Sequence, residues 1–409
     1  MKRKLAWLAG SALLLAEIAF AQTVHPLPSG VTGEVRVLAT QPDGKIVVGG
    51  NFSAVNGVPR ANIARLNPDG STDASWNPAA DGAVRAVAVH DNVVYVGGEF
   101  KTIGGQVRGI VAALDMTSGQ ATSWNPMASD YAYGTYVQTI ALSSDANIIY
   151  FAGKFTFVGP NVRRGIAAAS RTTGAPTSWD PKFSRAGSVD EPRIHAMAVL
   201  PQQQSAGADD IVYVSGDWTT INTMTNTSTL VALRSSDASA LEWAGIYNGP
   251  GGNGGFVDVA IATNGAMYLG GSFRDMFATP GISYVRGHIA ALEPYHSYVP
   301  MLNWAPAIDG TVKALAVSDD RIYVGGSFST IGGENHHRLA AIPLSPSDAE
   351  PLQWDPLVNG DIDTIAIAGE SVVVAGSFTQ MRGMSRNGLA AVSVWSDEIY
   401  RNGFEAIAP

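Results

Sequence analysis

The sequence predicts an all-β fold, a seven-bladed β-propeller whose blades are four-stranded antiparallel sheets. Three observations lead to this prediction. A segment of roughly 45 to 65 residues recurs along the chain, and this is the period of four-stranded propeller blades. Within each copy the apolar residues alternate or form short β-branched blocks, so they lack the spacing of helical repeats. The 45 glycines among 409 residues suit many short strands joined by tight turns.

Seven copies of the repeat can be aligned, and a complete copy carries four strand patterns. The first pattern, V-x-x-L-A-V, is nearly all apolar, as expected for a strand that is covered on both faces. The second pattern ends in Gly-Gly-x-Phe, the third reads Ile/Leu-Ala-Ala-Leu, and the fourth carries a tryptophan. The copies start near Val35, Val84, Val137, Ile194, Phe256, Val312 and Ile362.

Two aromatic positions recur in the repeats, and both are predicted to be structural. The ring that follows the paired glycines is expected to fill a slot between adjacent blades, where each buried ring contributes about 1.5–3 kcal/mol. Trp218 takes this position in the fourth copy. The phenylalanines are Phe52, Phe100, Phe155, Phe273, Phe328 and Phe378. The tryptophans of the fourth pattern are Trp76, Trp124, Trp179, Trp243, Trp304 and Trp354.

The seventh copy is incomplete, because no Trp-x-Pro segment follows its third strand pattern. Near the other end of the chain, Val24-His25-Pro26 precedes the first copy much as Trp76-Asn77-Pro78 precedes the second. We therefore predict that this N-terminal strand joins the last blade at Leu389 to Val394 and closes the ring. Such pairing removes open sheet edges. The alternative is that the N-terminal segment is a disordered leader.

The first 21 residues have the pattern of a signal peptide. A basic start precedes an apolar segment from Leu5 to Ala16 and a small-x-small cleavage site at Ala19-Phe20-Ala21. The apolar segment is shorter than the roughly 20 residues that span a bilayer, so an uncleaved membrane anchor is the less favoured alternative. The predicted organisation is a signal peptide at 1–21, a propeller at 22–395 and a tail at 396–409. The mature protein would be exported, to the periplasm, the cell surface or the medium, without a transmembrane segment.

The first copy also resembles a known family. The resembling positions are Gly44, Gly49, Gly50, Phe52, Asn56, Gly57, Arg60, Ile63, Ala64, Leu66, Asp69, Gly70 and Trp76. In this pattern the segment is similar to the delta-60 repeat, a β-propeller repeat of bacterial exported and surface proteins. The second, third, sixth and seventh copies match it well, and the fourth and fifth match it weakly. The resemblance implies a propeller fold and an exported location, but no established reaction.

One column of polar residues is the best candidate binding site. It lies directly after the first valine of each copy, between positions that stay apolar. If the first strand is innermost, these side chains surround one mouth of the central channel, and Lys313 and Arg36 flank Asp363. Such a ring could hold a small polar ligand; the alternative is a set of mutually neutralised channel residues. The column contains Arg36, Arg85, Gln138, His195, Val257, Lys313 and Asp363.

A second column, before the third strand pattern, holds arginines. Arginine presents forked donors that could bind an anionic ligand. Since the position is copied with the fold, we favour a structural role in which the side chain satisfies turn carbonyls or covers apolar surface. The column contains Arg60, Arg108, Arg164, Arg286 and Arg386.

Several classes of function are disfavoured by composition and motifs. The formal net charge of −9 and the lack of a basic run argue against nucleic-acid binding. The chain has no cysteine, which excludes disulfides and a copper-radical oxidase site. No metal site is expected, because the histidines share no motif and turns such as Asp81-Gly82 and Asp309-Gly310 are ordinary tight turns. No catalytic motif or cofactor fingerprint is present, so no cofactor and no catalytic residue is assigned.

The sequence thus favours an exported β-propeller that serves as a binding or interaction scaffold, as a monomer, for an unknown protein or glycan partner. Insertions in the fourth and fifth copies and the channel mouth are the candidate contact surfaces. The alternative is a carbohydrate-active or other hydrolase or lyase with its active site at the propeller axis. Carboxylates that converge at one channel mouth would favour catalysis, whereas a charge-neutralised channel would favour binding.

Overall fold

The computed structural model describes residues 24–25, 30–129, 134–185, 192–202, 209–222, 224–225, 229–241, 247–248, 256–261, 265–279, 282–293, 302–344 and 349–393. Within these ranges all regular secondary structure is β-strand, and no helix occurs. Accordingly, this part of the chain has no helix long and apolar enough to cross a bilayer. The predicted signal peptide and the C-terminal tail lie outside the described residues, as do most residues of the insertions in the fourth and fifth copies.

The strands of the first four copies are β1 (Val24–His25), β2 (Val31–Thr40), β3 (Ile46–Val55), β4 (Val58–Pro59), β5 (Ile63–Leu66), β6 (Val84–His90), β7 (Val93–Gly98), β8 (Thr102–Ile103), β9 (Gln106–Val107), β10 (Val111–Asp115), β11 (Ala128–Ser129), β12 (Tyr136–Leu142), β13 (Ile148–Lys154), β14 (Phe157–Val158), β15 (Asn161–Val162), β16 (Ile166–Ser170), β17 (Arg193–Leu200), β18 (Ile211–Asp217), β19 (Thr220–Ile221), β20 (Met224–Thr225) and β21 (Leu230–Arg234).

The strands of the last three copies are β22 (Tyr247–Asn248), β23 (Phe256–Ile261), β24 (Met267–Gly271), β25 (Asp275–Thr279), β26 (Ile282–Val285), β27 (Ile289–Leu292), β28 (Val312–Val317), β29 (Arg321–Gly326), β30 (Thr330–Ile331), β31 (Glu334–Asn335), β32 (Leu339–Pro343), β33 (Ile362–Ala368), β34 (Ser371–Gly376), β35 (Gln380–Met381), β36 (Met384–Ser385) and β37 (Leu389–Ser393).

Each repeat forms the same three-stranded antiparallel core, with the Gly-Gly strand in the middle. This confirms the first three predicted strand patterns. The first strand of each core contacts the first strand of the next, and β33 also contacts β2. The cores are β2-β3-β5, β6-β7-β10, β12-β13-β16, β17-β18-β21, β23-β24-β27, β28-β29-β32 and β33-β34-β37.

The tryptophan segments differ from the prediction, because none of the five described tryptophans lies in a regular strand. A proline two residues after the tryptophan lacks the N–H that a ladder needs. The residues beyond it instead bridge to a short outer hairpin of the following copy, as in the pairing of Ala128 with Val158 and of Ile308 with Ile331. These segments therefore link one sheet to the next. Trp243 lies outside the described residues.

The aromatic positions form the core between neighbouring sheets, as predicted. Tyr95 meets Trp124 edge to face with ring centroids 5.3 Å apart. The indole N–H of Trp124 donates to the carbonyl of Ser170, in the next copy, at 2.9 Å. The five described tryptophans, the six predicted phenylalanines and Trp218 are all buried. Each copy thus stabilises its neighbour.

The paired glycines allow two different close approaches. A Cβ at Gly97 would collide with the side chain of Val137 on β12, the first strand of the next core. A Cβ at Gly98 would collide with the carbonyl oxygen of Ala83 in its own sheet. The first glycine therefore sets the spacing between sheets, and the second sets the spacing within one sheet.

The N-terminal segment contacts the last copy. Val24 pairs with Val392 and His25 with Ala391, so β1 adds a fourth strand to the last sheet. Next to it, the N–H of Val31 donates to the carbonyl of Asn387 at 2.9 Å.

The first strand of each core, which we call the inner strand, contains a β-bulge, and the bulges position the candidate site. In β6, for example, the register shifts between Val84 and Ala86, so Arg85 has no partner on β7. The same shift occurs at the equivalent position of all seven inner strands. A bulge changes the direction of a side chain. Here the skipped residues are the members of the predicted polar column.

Candidate functional site

The inner strands surround a cavity of about 310 Å³. All six polar residues of the predicted column line it, each from a different strand, namely Arg36, Arg85, Gln138, His195, Lys313 and Asp363. The side chain of Val257, the apolar member, lies outside the described residues. We call this space the axial cavity.

Two arginines form one side of the axial cavity, on the neighbouring strands β2 and β6. Glu99 joins them, because its Oε1 lies 3.3 Å from Arg36 Nη1 and 2.6 Å from Arg85 Nη2. Arg36 also contacts Glu34 at 3.2 Å, and Arg85 donates to Gln138 Oε1 at 2.9 Å. Neither glutamate lines the cavity. The two guanidinium groups are therefore held in place by acids at the rim.

Lys313 joins two acidic residues on a second side. Its Nζ lies 2.8 Å from Asp363 Oδ1 and 2.9 Å from Asp361 Oδ2. Burial opposes the charge of Lys313, but hydrogen bonds to Asp363 and Asp361 outweigh it and raise the pKa of the amine. Lys313 therefore lies directly beside Asp363. Arg36 lies on β2, the other inner strand that contacts β33, but its ion pairs are to Glu34 and Glu99.

His195 has an acidic neighbour as well. Its Nε2 lies 3.5 Å from Asp217 Oδ2. The hydrogen bond from His195 lowers the pKa of Asp217 against the opposing effect of burial. His195 and Gln138 also line a second cavity of about 380 Å³ between the third and fourth sheets, together with Lys154 and Arg193.

The axial cavity also contains an acid outside the predicted column, Asp258. Its Oδ1 accepts the N–H of Val259 at 2.9 Å, and its Oδ2 accepts the N–H of Leu315, on the next inner strand, at 2.9 Å. Burial raises the pKa of Asp258 to about 6, although both hydrogen bonds favour the ionised form. One pattern could have revealed it. The equivalent positions carry only apolar, small or hydroxyl side chains, namely Val37, Ala86, Thr139, Ala196, Ala314 and Thr364.

The arginine column has the favoured structural role, with one correction. In the third copy the equivalent residue is Arg163, not Arg164, because the repeat there contains a second arginine. Arg108 donates from Nη1 to the carbonyl of Val107 and from Nη2 to that of Thr122. Arg163 makes the same pair of bonds to Val162 and Thr177. These side chains fasten the outer hairpin to the tryptophan segment.

The other polar candidates are also occupied by local structure. Asp81 Oδ1 accepts the N–H groups of Lys101 and Thr102, and Asp309 Oδ1 makes the same contacts in its own copy. Each carboxylate therefore joins its Asp-Gly segment to backbone 20 or 21 residues further along the chain. Within the described ranges, no group of three or more His, Asp or Glu side chains is arranged to hold a metal ion.

Comparison with known proteins identifies the kind of fold. Residues 41–75 and 318–340 match a family model described as a domain of unknown function (DUF5122) beta-propeller. The fold is that of a β-propeller. The match confirms the propeller relationship expected from the repeat. A search of curated proteins found no match.

Solved structures agree with this result. The chain is similar to the computationally designed Ika8 protein, with 13% identity, a TM-score of 0.52 and coverage of 92% of this chain and 100% of that one. It is similar to U3-55K, with 11% identity, a TM-score of 0.56 and coverage of 91% and 98%. A third similar structure is described as the extracellular domain of a one component system from B. thetaiotaomicron, with 13% identity and a TM-score of 0.50. There the match covers 92% of this chain but 42% of the other. At such identities the likeness concerns the fold alone.

Proposed function

We propose that the chain is an exported, seven-bladed β-propeller that serves as a binding scaffold and holds a small polar ligand in its axial cavity. One observation carries the proposal. Six polar or charged side chains, from six different inner strands, converge on one cavity of about 310 Å³. That volume is at the lower end of the range of ligand pockets, roughly 300–1,000 Å³.

The proposed ring of seven blades draws on the contacts of the inner strands. They follow one another in the order β2, β6, β12, β17, β23, β28 and β33, and β33 contacts β2. The pairing of β1 with β37 supports closure through the N-terminal strand. In this proposal the leader is residues 1–21, the propeller 22–395 and the tail 396–409. Export draws on the leader pattern and on the likeness to an extracellular domain.

The ion pairs in the axial cavity favour binding over catalysis. Lys313 pairs with Asp363 and Asp361, and Glu34 and Glu99 pair with the two arginines. A general acid or base works best when its pKa lies near the working pH and its proton can move. Paired groups of this kind instead present fixed donors and acceptors, which suit recognition of a glycan or another polar molecule.

The proposal is tested by a binding screen of glycans and small polar molecules on the purified mature protein. A ligand found in the screen is then measured with Lys313→Met and Asp363→Asn. We expect at least a tenfold loss of affinity in each, since a hydrogen bond to a charged group contributes about 1.5–3 kcal/mol. Asp91→Asn is the matched control, because Asp91 is 64% exposed and does not line the cavity. Unchanged affinity in both test variants would contradict an axial site.

The second candidate function, a carbohydrate-active or other hydrolase or lyase, is favoured by one observation. Asp258 lines the cavity, and burial raises its pKa to about 6, near the range in which a carboxyl group can transfer protons. If the screened glycans are cleaved, and cleavage is lost in Asp258→Asn but not in Asp91→Asn, the protein is an enzyme and the scaffold proposal is wrong.

A further inference from the structure

Asp258 differs from the other acids near the axial cavity in its bonding partners. Among the described residues, its two hydrogen bonds come from backbone N–H groups, and no ion pair includes it. By contrast Asp363, Asp361 and Glu99 each contact a lysine or an arginine.

The segments between the described ranges do not offer a permanent cation either. The internal segments outside the described residues contain no lysine and no arginine. Asp258 is half-buried. A carboxylate that loses part of its hydration without a cation beside it is costly, because two backbone donors offset only part of that loss. A ligand with a cationic group would supply such a partner.

The position of Asp258 relative to the arginine pair suggests what that partner is. In the cyclic order of contacts, β23 is three strands from β6 in one direction and three strands from β2 in the other. Asp258 therefore lies across the axial cavity from Arg36 and Arg85. The cavity thus has two guanidinium groups on one side and, on the opposite side, the carboxylate of Asp258.

Resting on the proposed axial binding site, we propose that its ligand is a small zwitterion whose ammonium group binds Asp258 and whose carboxylate binds Arg36 and Arg85. The cavity of about 310 Å³ admits a molecule of amino-acid size. Each carboxylate oxygen of Asp258 accepts one hydrogen bond in the protein, which leaves acceptor capacity for an ammonium group. The two arginines supply planar donors suited to a carboxylate.

A competing explanation assigns Asp258 a structural role. Its bond to the N–H of Leu315 joins β23 to the edge of β28. In that case its removal would lower stability and leave ligand affinity unchanged. Any test must therefore measure affinity and stability separately.

The test uses matched probes that differ only in charge, namely 4-aminobutyrate, butylamine, butyrate and butanol, measured by ligand-detected NMR and calorimetry at pH 7.5 and low salt. We expect 4-aminobutyrate to bind tightest. Asp258→Asn should weaken 4-aminobutyrate and butylamine at least tenfold and leave butyrate unchanged. Arg85→Gln should weaken 4-aminobutyrate and butyrate and leave butylamine unchanged. Glycine and 6-aminohexanoate then measure the spacing of the two subsites.

Asp91→Asn again serves as the control for a lost surface carboxylate. If Asp258→Asn lowers the unfolding temperature but leaves affinity for the amines unchanged, the structural explanation holds and the inference is wrong. It is also wrong if no amine of the series binds. Should glycans bind with a dependence on Lys313 and Asp363 but not on Asp258, the proposed function stands while this inference fails.

Discussion

The core between neighbouring sheets and the axial cavity are built from the same repeats, but the repeats differ in the two places. In the core, four copies present the same edge-to-face contact between a tyrosine and a tryptophan, namely Tyr95 with Trp124, Tyr150 with Trp179, Tyr268 with Trp304 and Tyr323 with Trp354. At the axis, equivalent positions carry basic, acidic and amide side chains. Where copies must fit one another, they stay alike. Where they face a shared space, they have diverged.

The energetics of the two regions explain this difference. Core rings are almost fully excluded from water, so each contributes several kcal/mol. The axial ion pairs are partly hydrated, with 25% of Arg36 and 31% of Lys313 exposed, and such pairs contribute little, about 0–1 kcal/mol. Stability therefore does not account for the axial residues, and this favours a role in recognition.

The largest effect is expected from breaking the core. Trp304→Ala should lower the free energy of unfolding by about 3–5 kcal/mol, because it leaves a cavity. It also removes the edge-to-face contact with Tyr268 and the bond from Nε1 to the carbonyl of Pro343. Urea unfolding measures the change. Trp304→Phe should fall in between, and Val107→Ala, at a 73% exposed residue, should cost less than about 0.5 kcal/mol. Equal values for the alanine variants would show that the repeated core does not set stability.

The paired glycines should give the next largest effect. Gly98→Ala should cost about 3 kcal/mol, since the new methyl group meets the backbone of Ala83 within one sheet. Gly97→Ala should cost about 1 kcal/mol, because its new contact is a side chain, Val137, that can shift. The third and seventh copies already carry alanine, Ala152 and Ala375, at the position of Gly97. The same unfolding measurement ranks the two variants, and the reverse order would contradict the separate roles of the two glycines.

Much of the core could be predicted from the sequence for the same reason that it is uniform. Seven copies report one pattern, so Phe100, Trp124 and their equivalents stand out as buried rings. The predicted polar column also lines one cavity, because the bulge recurs with the repeat.

Features that occur once were harder to predict. Asp258 lies one residue away from the column, in a copy that matches the repeat weakly. Its carboxylate accepts a hydrogen bond from the N–H of Leu315, and this contact depends on the neighbouring sheet. Arg163 and Arg164 are adjacent, and only the tertiary contacts with Thr177 select between them. The short outer hairpins lack apolar alternation, so the sequence does not reveal them. The fourth strand is therefore wrongly predicted at the tryptophan segments.

The smallest effect, and the one most specific to the axis, is a pH dependence. Folding raises the pKa of Asp258 from its ordinary value of 3.8 to about 6, so the folded protein binds this proton more tightly than the unfolded chain does. The cost of the ionised form is therefore complete above pH 6 and is lost as the pH falls towards 4. Between pH 7.5 and 4.5 the wild type should gain roughly 2 kcal/mol relative to Asp258→Asn, since one pKa unit corresponds to about 1.4 kcal/mol. Parallel urea titrations of the two proteins measure this difference.

Comparison with the variant isolates the axial carboxyl group from the rest of the molecule. Turn acids such as Asp309 and Asp320, whose pKa values are lowered, lose their contribution only as the pH falls below about 4, and they do so equally in both proteins. A bound cation would stabilise the ionised form, so adding 4-aminobutyrate should reduce the pH dependence of the wild type and leave that of Asp258→Asn unchanged. A pH dependence that is the same in both proteins would mean that water in the cavity hydrates Asp258 well enough to remove the need for a cation. The core and the axis would then differ only in how much their residues contribute to stability.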